Sequence, residues 1–275
     1  MTDYRTIRYE VEDRIARVTL DRPEYRNAQS RLLLEELDHA LLAAGDDPEV
    51  AVIVLLGAGD HFSAGHDLGT PDELADQAER PWRRGIRGWY EQTHEQFLAN
   101  TLRWRNIPKP TVAVVQGYCI FGGWMIASAM DVIFAADDAM FLGSLFQYFC
   151  MPWDLHPRKV KELLYESRFV DAAEAADLGL VNRVLPRAEL ETEALAWAGR
   201  VAQSDPFHLR MVKLATNQAQ DSQGFTTHLT ASHAMYTLAR LAERDPDSPV
   251  QDTGGRRRPG VQQALDNYRL RQEPR

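Results

Sequence analysis

Only two cysteines, Cys119 and Cys150, occur among the 275 residues of this chain. Two thiols cannot build a disulfide framework or a zinc cluster, so neither kind of scaffold is expected to hold the fold together. The sequence also lacks any apolar run approaching the roughly 18 residues that a membrane-spanning helix needs. Residues 1–8 contain no apolar stretch of the kind found in secretion signals. We therefore expect a cytoplasmic protein that does not associate with membranes.

Positive charge is scarce as well, because 31 lysines and arginines face 40 aspartates and glutamates and leave a formal net charge of −9. A nucleic-acid binder needs a basic face to contact phosphates, so we expect no nucleic-acid partner. The net sign does not exclude a small anionic ligand, since a few arginines can dominate the local potential. Hydrophobic residues make up 44% of the chain and charged residues 26%, which is typical of a globular protein.

The most informative segment of the chain is Ile107–Phe141. It contains a buried strand (Thr111–Val115), a Gly122-Gly123 pair that opens a short apolar helix, and a second strand (Val132–Ala136). A helix without side chains in its first turn presents free backbone N–H groups and the positive end of its dipole. Such a helix start suits an oxyanion that approaches the backbone closely. The alternative is that the two glycines serve only close packing of the helix on the sheet.

This segment resembles the enoyl-CoA hydratase/isomerase (crotonase) superfamily, whose pattern there is Pro-Lys-Pro, a buried strand, Asn-Gly, Gly-Gly and Ala-x-x-x-Asp. A second block, Val52–Leu68, is similar to the family's strand followed by Gly-x-Gly-x-x-Phe-x-Ala-Gly-x-Asp-Leu. Two more blocks, Leu20–Ala28 and Asp171–Asn182, occur in the family's order. The four matches together cover roughly residues 10–215.

The resemblance implies an α/β fold, a crotonase-like spiral of ββα units that makes two roughly perpendicular sheets. A C-terminal helical region that builds trimers would follow. We place the spiral core with its acyl-CoA site in residues 1–200 and the helical oligomerisation region with the tail in residues 201–275. The expected assembly is a homotrimer or a hexamer made of two trimers.

Local signals agree with a chain in which strands and helices alternate. Ile15–Leu20 and Val50–Leu56 read as strands, and Ser30 can cap a helix between them that ends near Gly45. Thr70–Asn106 reads as a charged insertion that becomes helical from about Trp89.

A second helix start follows further along the chain. Asp171 with Glu174 three residues later predicts a capped short helix that stops at Gly179.

In this family the carbonyl of an acyl-CoA thioester lies between two backbone N–H groups, which stabilise an enolate-like anion. Carried over to this chain, the donors would be the amides of His66 and Gly122. Two N–H groups held in a dry pocket need no reorganisation when the charge develops. The imidazole of His66 is a separate candidate for chemistry. Coenzyme A would be part of the substrate, so no other cofactor and no metal is expected.

Five further positions correspond to the family's contacts with the coenzyme A part of the substrate. Arg26 and Ala28 lie where the adenine and phosphate end is bound, and Ala64, Asp67 and Leu68 flank the pantetheine. Arg26 can offer a charge-assisted hydrogen bond to a phosphate. The alternative for Arg26 is a solvated surface arginine.

The chain departs from the family at the two glutamates with which its hydratases position and deprotonate water. Met125 stands three residues after the oxyanion glycine, and Leu145 stands at the second glutamate's place. Neither side chain can exchange a proton. We therefore do not expect the standard hydration of a 2-enoyl-CoA by that pair.

A replacement for the glutamates is predicted near the acyl end of the pocket, where Asp154 and His156 stand in place of small residues. A histidine paired with a carboxylate can act as acid and base near neutral pH. The alternative is a surface turn in which Asp154 caps a helix that begins at Pro157 or Arg158.

Other side chains near this segment are assigned less specific roles. Aromatic residues are expected to shape the acyl pocket, namely Phe146, Tyr148, Phe149 and Trp153. Other candidates for a base are Tyr148, Tyr118, His94 and Glu91. The basic run Arg256–Arg258 reads as a solvated tail, with contact to a coenzyme A phosphate of a neighbouring subunit as the alternative.

Three functions from different classes are consistent with these residues. The leading interpretation is an acyl-CoA enzyme that uses a backbone oxyanion hole and differs from a two-glutamate hydratase. The second is a non-catalytic acyl-CoA-binding protein, suggested by the missing glutamates. The third is a β-diketone hydrolase that cleaves a C–C bond without coenzyme A.

Overall fold

The computed structural model describes residues 3–143, 147–242 and 260–272. The strands are β1 Ile7–Glu12, β2 Ile15–Leu20, β3 Val52–Gly57, β4 Thr111–Val115, β5 Tyr118–Ile120, β6 Val132–Ala136, β7 Met140–Leu142, β8 Val170–Asp171 and β9 Arg183–Leu185. The α-helices are α1 Arg31–Asp46, α2 Pro71–Glu79, α3 Gly85–Thr93, α4 Asn100–Arg105, α5 Gly122–Ser128, α6 Met151–Asp154, α7 Pro157–Glu166, α8 Ala172–Asp177, α9 Arg187–Val201, α10 Pro206–Ser222, α11 Phe225–Ala242 and α12 Val261–Gln272. A 3₁₀ turn spans Pro23–Tyr25, and a π-helical turn, His94–Ala99, joins α3 to α4.

The strands form two sheets. A six-stranded sheet has the order β1-β2-β3-β4-β6-β9, and all neighbours in it are parallel except β1 and β2. A three-stranded sheet has the order β5-β7-β8. The chain leaves the large sheet at Val115 and enters the small one at Tyr118. Strand β5 then leads directly to α5, so the glycine-rich helix start lies where the chain has just changed sheets.

The core occupies both faces of the large sheet. On one face Ile53 and Leu55 belong to a buried cluster with Leu37 of α1. On the other face Val54 packs with Ala194 of α9. Strand β3 is therefore buried on both sides, which explains why its sequence is continuously apolar instead of alternating.

The predicted fold class is confirmed, and most local predictions hold. Strands β2, β4 and β6 have the predicted bounds. The Ser30 hydroxyl accepts the N–H of Leu33, and the Asp171 carboxylate accepts the N–H of Glu174. The strand predicted from Val50 begins two residues later, because the Val50 N–H closes a turn onto the Asp47 carbonyl (3.1 Å).

The prediction that the insertion becomes helical only from Trp89 was wrong, because α2 and the start of α3 precede that residue. Thr70 caps α2 by accepting the N–H of Glu73, and Pro71 occupies the first helical turn. Both are ordinary helix-start signals, so the sequence did contain the information.

The C-terminal part of the described chain is helical, as predicted. Helix α10 has no buried residue along its 17 residues. None of the helices in the described ranges combines the length and the apolar character needed to cross a bilayer. The division of the chain at residue 200 stays a prediction, and Leu145, Phe146 and Arg256–Arg258 lie outside the described residues.

Candidate active site

The backbone around His66 is held by a short parallel bridge with Gln29. The Gln29 N–H donates to the Gly65 carbonyl (2.8 Å), and the Asp67 N–H donates to the Gln29 carbonyl (3.0 Å). These two bonds use the backbone groups on either side of His66. The His66 N–H itself has no recorded hydrogen-bond partner among the described residues.

Gly65 brings this segment against the start of α5. Its φ is +87°, and a Cβ there would lie 2.7 Å from the Ile120 carbonyl oxygen and 3.2 Å from the Gly122 nitrogen. Only glycine fits such a close approach of two backbones. Within the described ranges the Gly122 N–H, like that of His66, has no recorded partner. Two free backbone donors therefore lie on neighbouring segments, as an oxyanion hole requires.

The two glycines that open α5 have different neighbours. A Cβ on Gly122 would collide with the Gln29 amide oxygen and would lie 2.7 Å from His66 Cε1 and 2.8 Å from His66 Nδ1. A Cβ on Gly123 would lie 2.6 Å from the Ser63 carbonyl oxygen. Gly123 thus permits close packing of helix on backbone, whereas Gly122 borders the side chain and the amide of the candidate site.

The His66 imidazole is packed between aromatic and polar neighbours. It stacks on Phe97 with the ring centroids 3.8 Å apart, and its Nε2 lies 3.3 Å from the Gln147 amide oxygen. Its Nδ1 is buried and has no hydrogen-bond partner in the described part of the chain. Burial lowers the pKa of His66 to about 4, so the ring is neutral at pH 7.

Met125, which the family resemblance places at the position of the first glutamate, is buried among apolar side chains. It lies in α5, one turn after Gly122, and packs in a buried cluster with Leu98, Tyr148 and Phe225. Tyr148 thus packs with Met125, and its predicted place in an acyl pocket stays a prediction. Its hydroxyl is buried without a hydrogen-bond partner among the described residues.

Asp154 is the last residue of α6, and its Oδ2 is buried with no recorded hydrogen bond in the described ranges. Burial raises the pKa of Asp154 to about 6, against the opposing effects of Cys150 and Ser128 beside it. Ser128 ends α5, six residues after Gly122, which corresponds to about 9 Å along the helix axis. The carboxyl group therefore lies near the end of α5 opposite the two backbone donors.

His156 lies in a different environment from Asp154. It is exposed, and its Nδ1 accepts the N–H of Arg158 (3.3 Å) as the N-cap of α7. The alternative in which Asp154 caps this helix was wrong, because His156 holds that position. No hydrogen bond between Asp154 and His156 is recorded among the described residues. The catalytic pair stays a prediction, which this geometry does not favour.

Two of the positions predicted to bind coenzyme A are joined through their backbones. The Ala64 N–H donates to the Arg26 carbonyl (2.9 Å), and the Arg26 side chain is exposed. Ala28 and Ala64 are both half-buried. The arrangement leaves the Arg26 guanidinium accessible to an anionic ligand.

The side chains of Asp67 and Leu68 lie in different environments. The Asp67 carboxylate is buried, pairs with Arg22 (2.8 Å) and accepts the N–H groups of Gly69 and Thr70 (3.0 and 2.8 Å). Burial alone would raise the pKa of Asp67, but hydrogen bonds from Thr70, Gly69 and Arg22 hold it below its ordinary value. Asp67 therefore stabilises the loop to which it belongs. Leu68 is 98% exposed, and its place beside the pantetheine stays a prediction.

Three residues in contact with the candidate site were not predicted from the sequence, namely Gln29, Phe97 and Gln147. Gln29 follows Ala28 directly, so its place beside a recognised block was a usable signal. Phe97 belongs to the insertion and Gln147 to the segment before α6. No motif or spacing connects either of these two with His66.

Comparison with known proteins gives the same family as the sequence blocks. The family profile described as enoyl-CoA hydratase/isomerase matches residues 10–243. A Mycobacterium tuberculosis protein that carries the provisional name enoyl-CoA hydratase EchA13 is 37% identical in an alignment 257 residues long that covers 86% of this chain and 81% of that protein.

Solved structures show the same similarity. The crystal structure of a probable enoyl-CoA hydratase from Mycobacterium smegmatis has 41% identity and a TM-score of 0.78, covering 85% of this chain and 93% of the other. That of an enoyl-CoA hydratase/isomerase from Xanthobacter autotrophicus Py2 has 32% identity and a TM-score of 0.80, covering 99% and 100%. The chain belongs to the enoyl-CoA hydratase/isomerase family.

Proposed function

We propose that this protein is an acyl-CoA enzyme that binds a thioester oxygen between the amides of His66 and Gly122. The observation that carries the proposal is the pair of free backbone donors that Gly65 allows to approach each other. Such donors stabilise negative charge as it develops on the carbonyl oxygen, and one donor is typically worth about 3 kcal/mol. The chemistry therefore proceeds through an enolate-like anion of the thioester.

The reaction we propose is not the standard hydration by two glutamates. Met125 packs among apolar side chains and offers no proton acceptor beside the anion. Double-bond isomerisation needs one base and no added water. It therefore requires fewer catalytic groups than hydration or hydrolysis. Hydrolysis of a C–C or thioester bond and an atypical hydration are the other reactions of this class.

Binding of the substrate is assigned to the positions already described. The exposed Arg26 receives a phosphate of coenzyme A, and Ala28 lies at the same end of the ligand. Ala64 and Leu68 border the pantetheine. Coenzyme A enters as part of the substrate, and the proposal includes no separate cofactor or metal. We place the reaction in the cytoplasm.

The direct test is isothermal calorimetry with coenzyme A and a panel of acyl-CoA thioesters, followed by mass spectrometry of overnight incubations. We expect binding of several thioesters and conversion of at least one. Arg26→Ala should weaken coenzyme A binding several-fold, since it removes a charge-assisted contact. The control Arg200→Ala, at an exposed arginine in α9, should leave the affinity unchanged.

The outcomes separate the three classes of function. Absence of coenzyme A binding would overturn the proposal and favour the β-diketone hydrolase. Tight binding of every thioester without conversion of any would favour a non-catalytic acyl-CoA-binding protein.

We further propose that the protein assembles as a homotrimer or as two such trimers. Helices α10 and α11 expose large apolar side chains, including Phe207 (67%), Met235 (63%) and Leu238 (68%). Exposed apolar surface of this kind typically marks an interface.

Light scattering at micromolar concentration should give three or six times the monomer mass. Leu238→Lys should shift it towards monomer, whereas the control Gln203→Lys should not, and a wild-type monomer would contradict the assignment.

A further inference from the structure

A chain of hydrogen bonds links the His66 ring to helix α11. The Gln147 side-chain N–H donates to the Tyr236 hydroxyl (3.2 Å), which leaves the Gln147 oxygen facing His66 Nε2 at 3.3 Å. An amide oxygen can only accept, so Nε2 carries the hydrogen in this arrangement. Gln147 and Tyr236 are almost fully buried, at 2% and 3% exposure. The chain thus sets both the orientation and the tautomer of the imidazole.

The other ring nitrogen, Nδ1, then holds a lone pair and points towards Gly122. It is buried without a partner among the described residues, and an added Cβ on Gly122 would come within 2.8 Å of it. A buried acceptor without a hydrogen bond costs free energy, so its retention indicates a hydrogen supplied by something that binds there. The nitrogen borders the residue whose amide is one of the two oxyanion donors.

The surroundings keep the ring neutral until a ligand binds. Phe97 stacks on it from the π-helical turn, Gly122 borders it from α5, and Gln147 contacts Nε2. No charged side chain of the described residues contributes to its lowered pKa, which burial causes. A single-turn π segment within a helix is often found at functional sites, where it redirects a side chain. Here it brings Phe97 against the imidazole.

We propose that His66 supplies two groups to the reaction, its backbone N–H to the oxyanion and its Nδ1 to the α-proton of the acyl group. This inference rests on the proposed function and adds the missing base to it. Gln147 acts as a positioning residue through Nε2, and Tyr236 acts as a positioning residue through Gln147.

The proton transfer balances without any further reagent. The C2–H bond of the thioester breaks, its electron pair moves onto the carbonyl oxygen, and the His66 and Gly122 amides donate to that oxygen. The proton goes to Nδ1 and gives an imidazolium whose charge lies beside the enolate. Return of the proton to C4 of a 3-enoyl group, in place of C2, produces the conjugated 2-enoyl thioester.

The test uses trans-3-hexenoyl-CoA in deuterium oxide with the intact protein. Deuterium at C2, measured by mass spectrometry, and 2-hexenoyl-CoA, measured by chromatography, each show that the C2–H bond has been broken. His66→Ala keeps the backbone donor and removes the ring. We expect it to reduce both products by about 10²–10⁴-fold, the usual contribution of a positioned base. Calorimetry should show that it still binds the thioester.

Three comparisons separate a base from a structural residue. Added imidazole should restore part of the rate in His66→Ala, because it can occupy the space of the lost ring. Tyr236→Phe should lower kcat several-fold and leave KM unchanged, since it loosens Gln147 without touching the substrate. Asp154→Asn tests the competing base that the sequence predicts, and loss of C2–H cleavage in this variant would assign the proton transfer to Asp154.

The outcomes distinguish this inference from the proposed function. Two results would overturn the role of His66 and leave the acyl-CoA function standing. One is full C2–H cleavage by His66→Ala. The other is loss of C2–H cleavage in Asp154→Asn with the fold intact. Binding of the thioester by the wild type without any C2–H cleavage would also overturn it. Failure of the wild type to bind the thioester would remove the proposed function itself.

Discussion

Crotonyl-CoA should be hydrated by this protein several orders of magnitude more slowly than by an enzyme with both glutamates. Each positioned acid or base contributes about 10²–10⁴-fold to a rate, and the family resemblance predicts that Met125 and Leu145 stand at the two places. Met125 is buried in an apolar cluster with Leu98, Tyr148 and Phe225, and its own side chain offers no proton acceptor. The measurement is the loss of absorbance of the unsaturated thioester at a saturating substrate concentration.

A two-glutamate hydratase assayed in parallel provides the reference rate. Binding of crotonyl-CoA to this protein, measured by calorimetry, ensures that a slow rate reflects chemistry and not an empty site. Hydration at a rate comparable to the reference would show that water is activated by another group. The insertion Thr70–Asn106 would then be the first place to look for it.

Gly122→Pro should abolish turnover while leaving expression and assembly largely intact. Proline has no backbone N–H, and loss of one oxyanion donor typically lowers kcat by about 10²–10³-fold. The added Cβ would also lie 2.7 Å from His66 Cε1 and 2.8 Å from Nδ1, so the ring would have to move. The two effects act in the same direction. Turnover is measured on the thioester that the wild type converts fastest.

The matched control for this substitution is Gly199→Ala in α9. A Cβ there would meet no atom within 4 Å, so activity should not change. Stability should stay the same or rise by about 0.5–1 kcal/mol, because alanine favours the helix over glycine. Activity close to wild type in Gly122→Pro would refute the assignment of this amide to the oxyanion hole. Loss of the trimer or of solubility in that variant would require Gly122→Ala, which retains the N–H.

Much of the fold could be predicted because its signals are local. The runs Thr111–Val115 and Val132–Ala136 are apolar and rich in β-branched residues, so they read as buried strands without knowledge of their partners. Ser30 and Asp171 accept N–H groups three residues away, and such bonds depend only on the adjacent chain. Gly122 and His66 could be identified because each lies in a block that resembles the family.

The chemical state of the site depended on contacts between distant segments. Gln147 lies 81 residues from His66 and 89 from Tyr236, and no local pattern predicts a hydrogen bond across such separations. The spacing of Asp154 and His156 suggested a pair, yet Oδ2 of Asp154 is buried and His156 is exposed at a helix start.

The sequence by itself determined where β2, β4 and β6 run, that Ser30 and Asp171 cap helices, and which two amides are candidates for the oxyanion hole. The tertiary structure alone decided that His66 is neutral, that its Nδ1 faces Gly122 and that Asp154 has a raised pKa. The physical reason is that a strand or cap forms from interactions among neighbours in the chain. Desolvation and side-chain direction depend on what the rest of the molecule packs around a group.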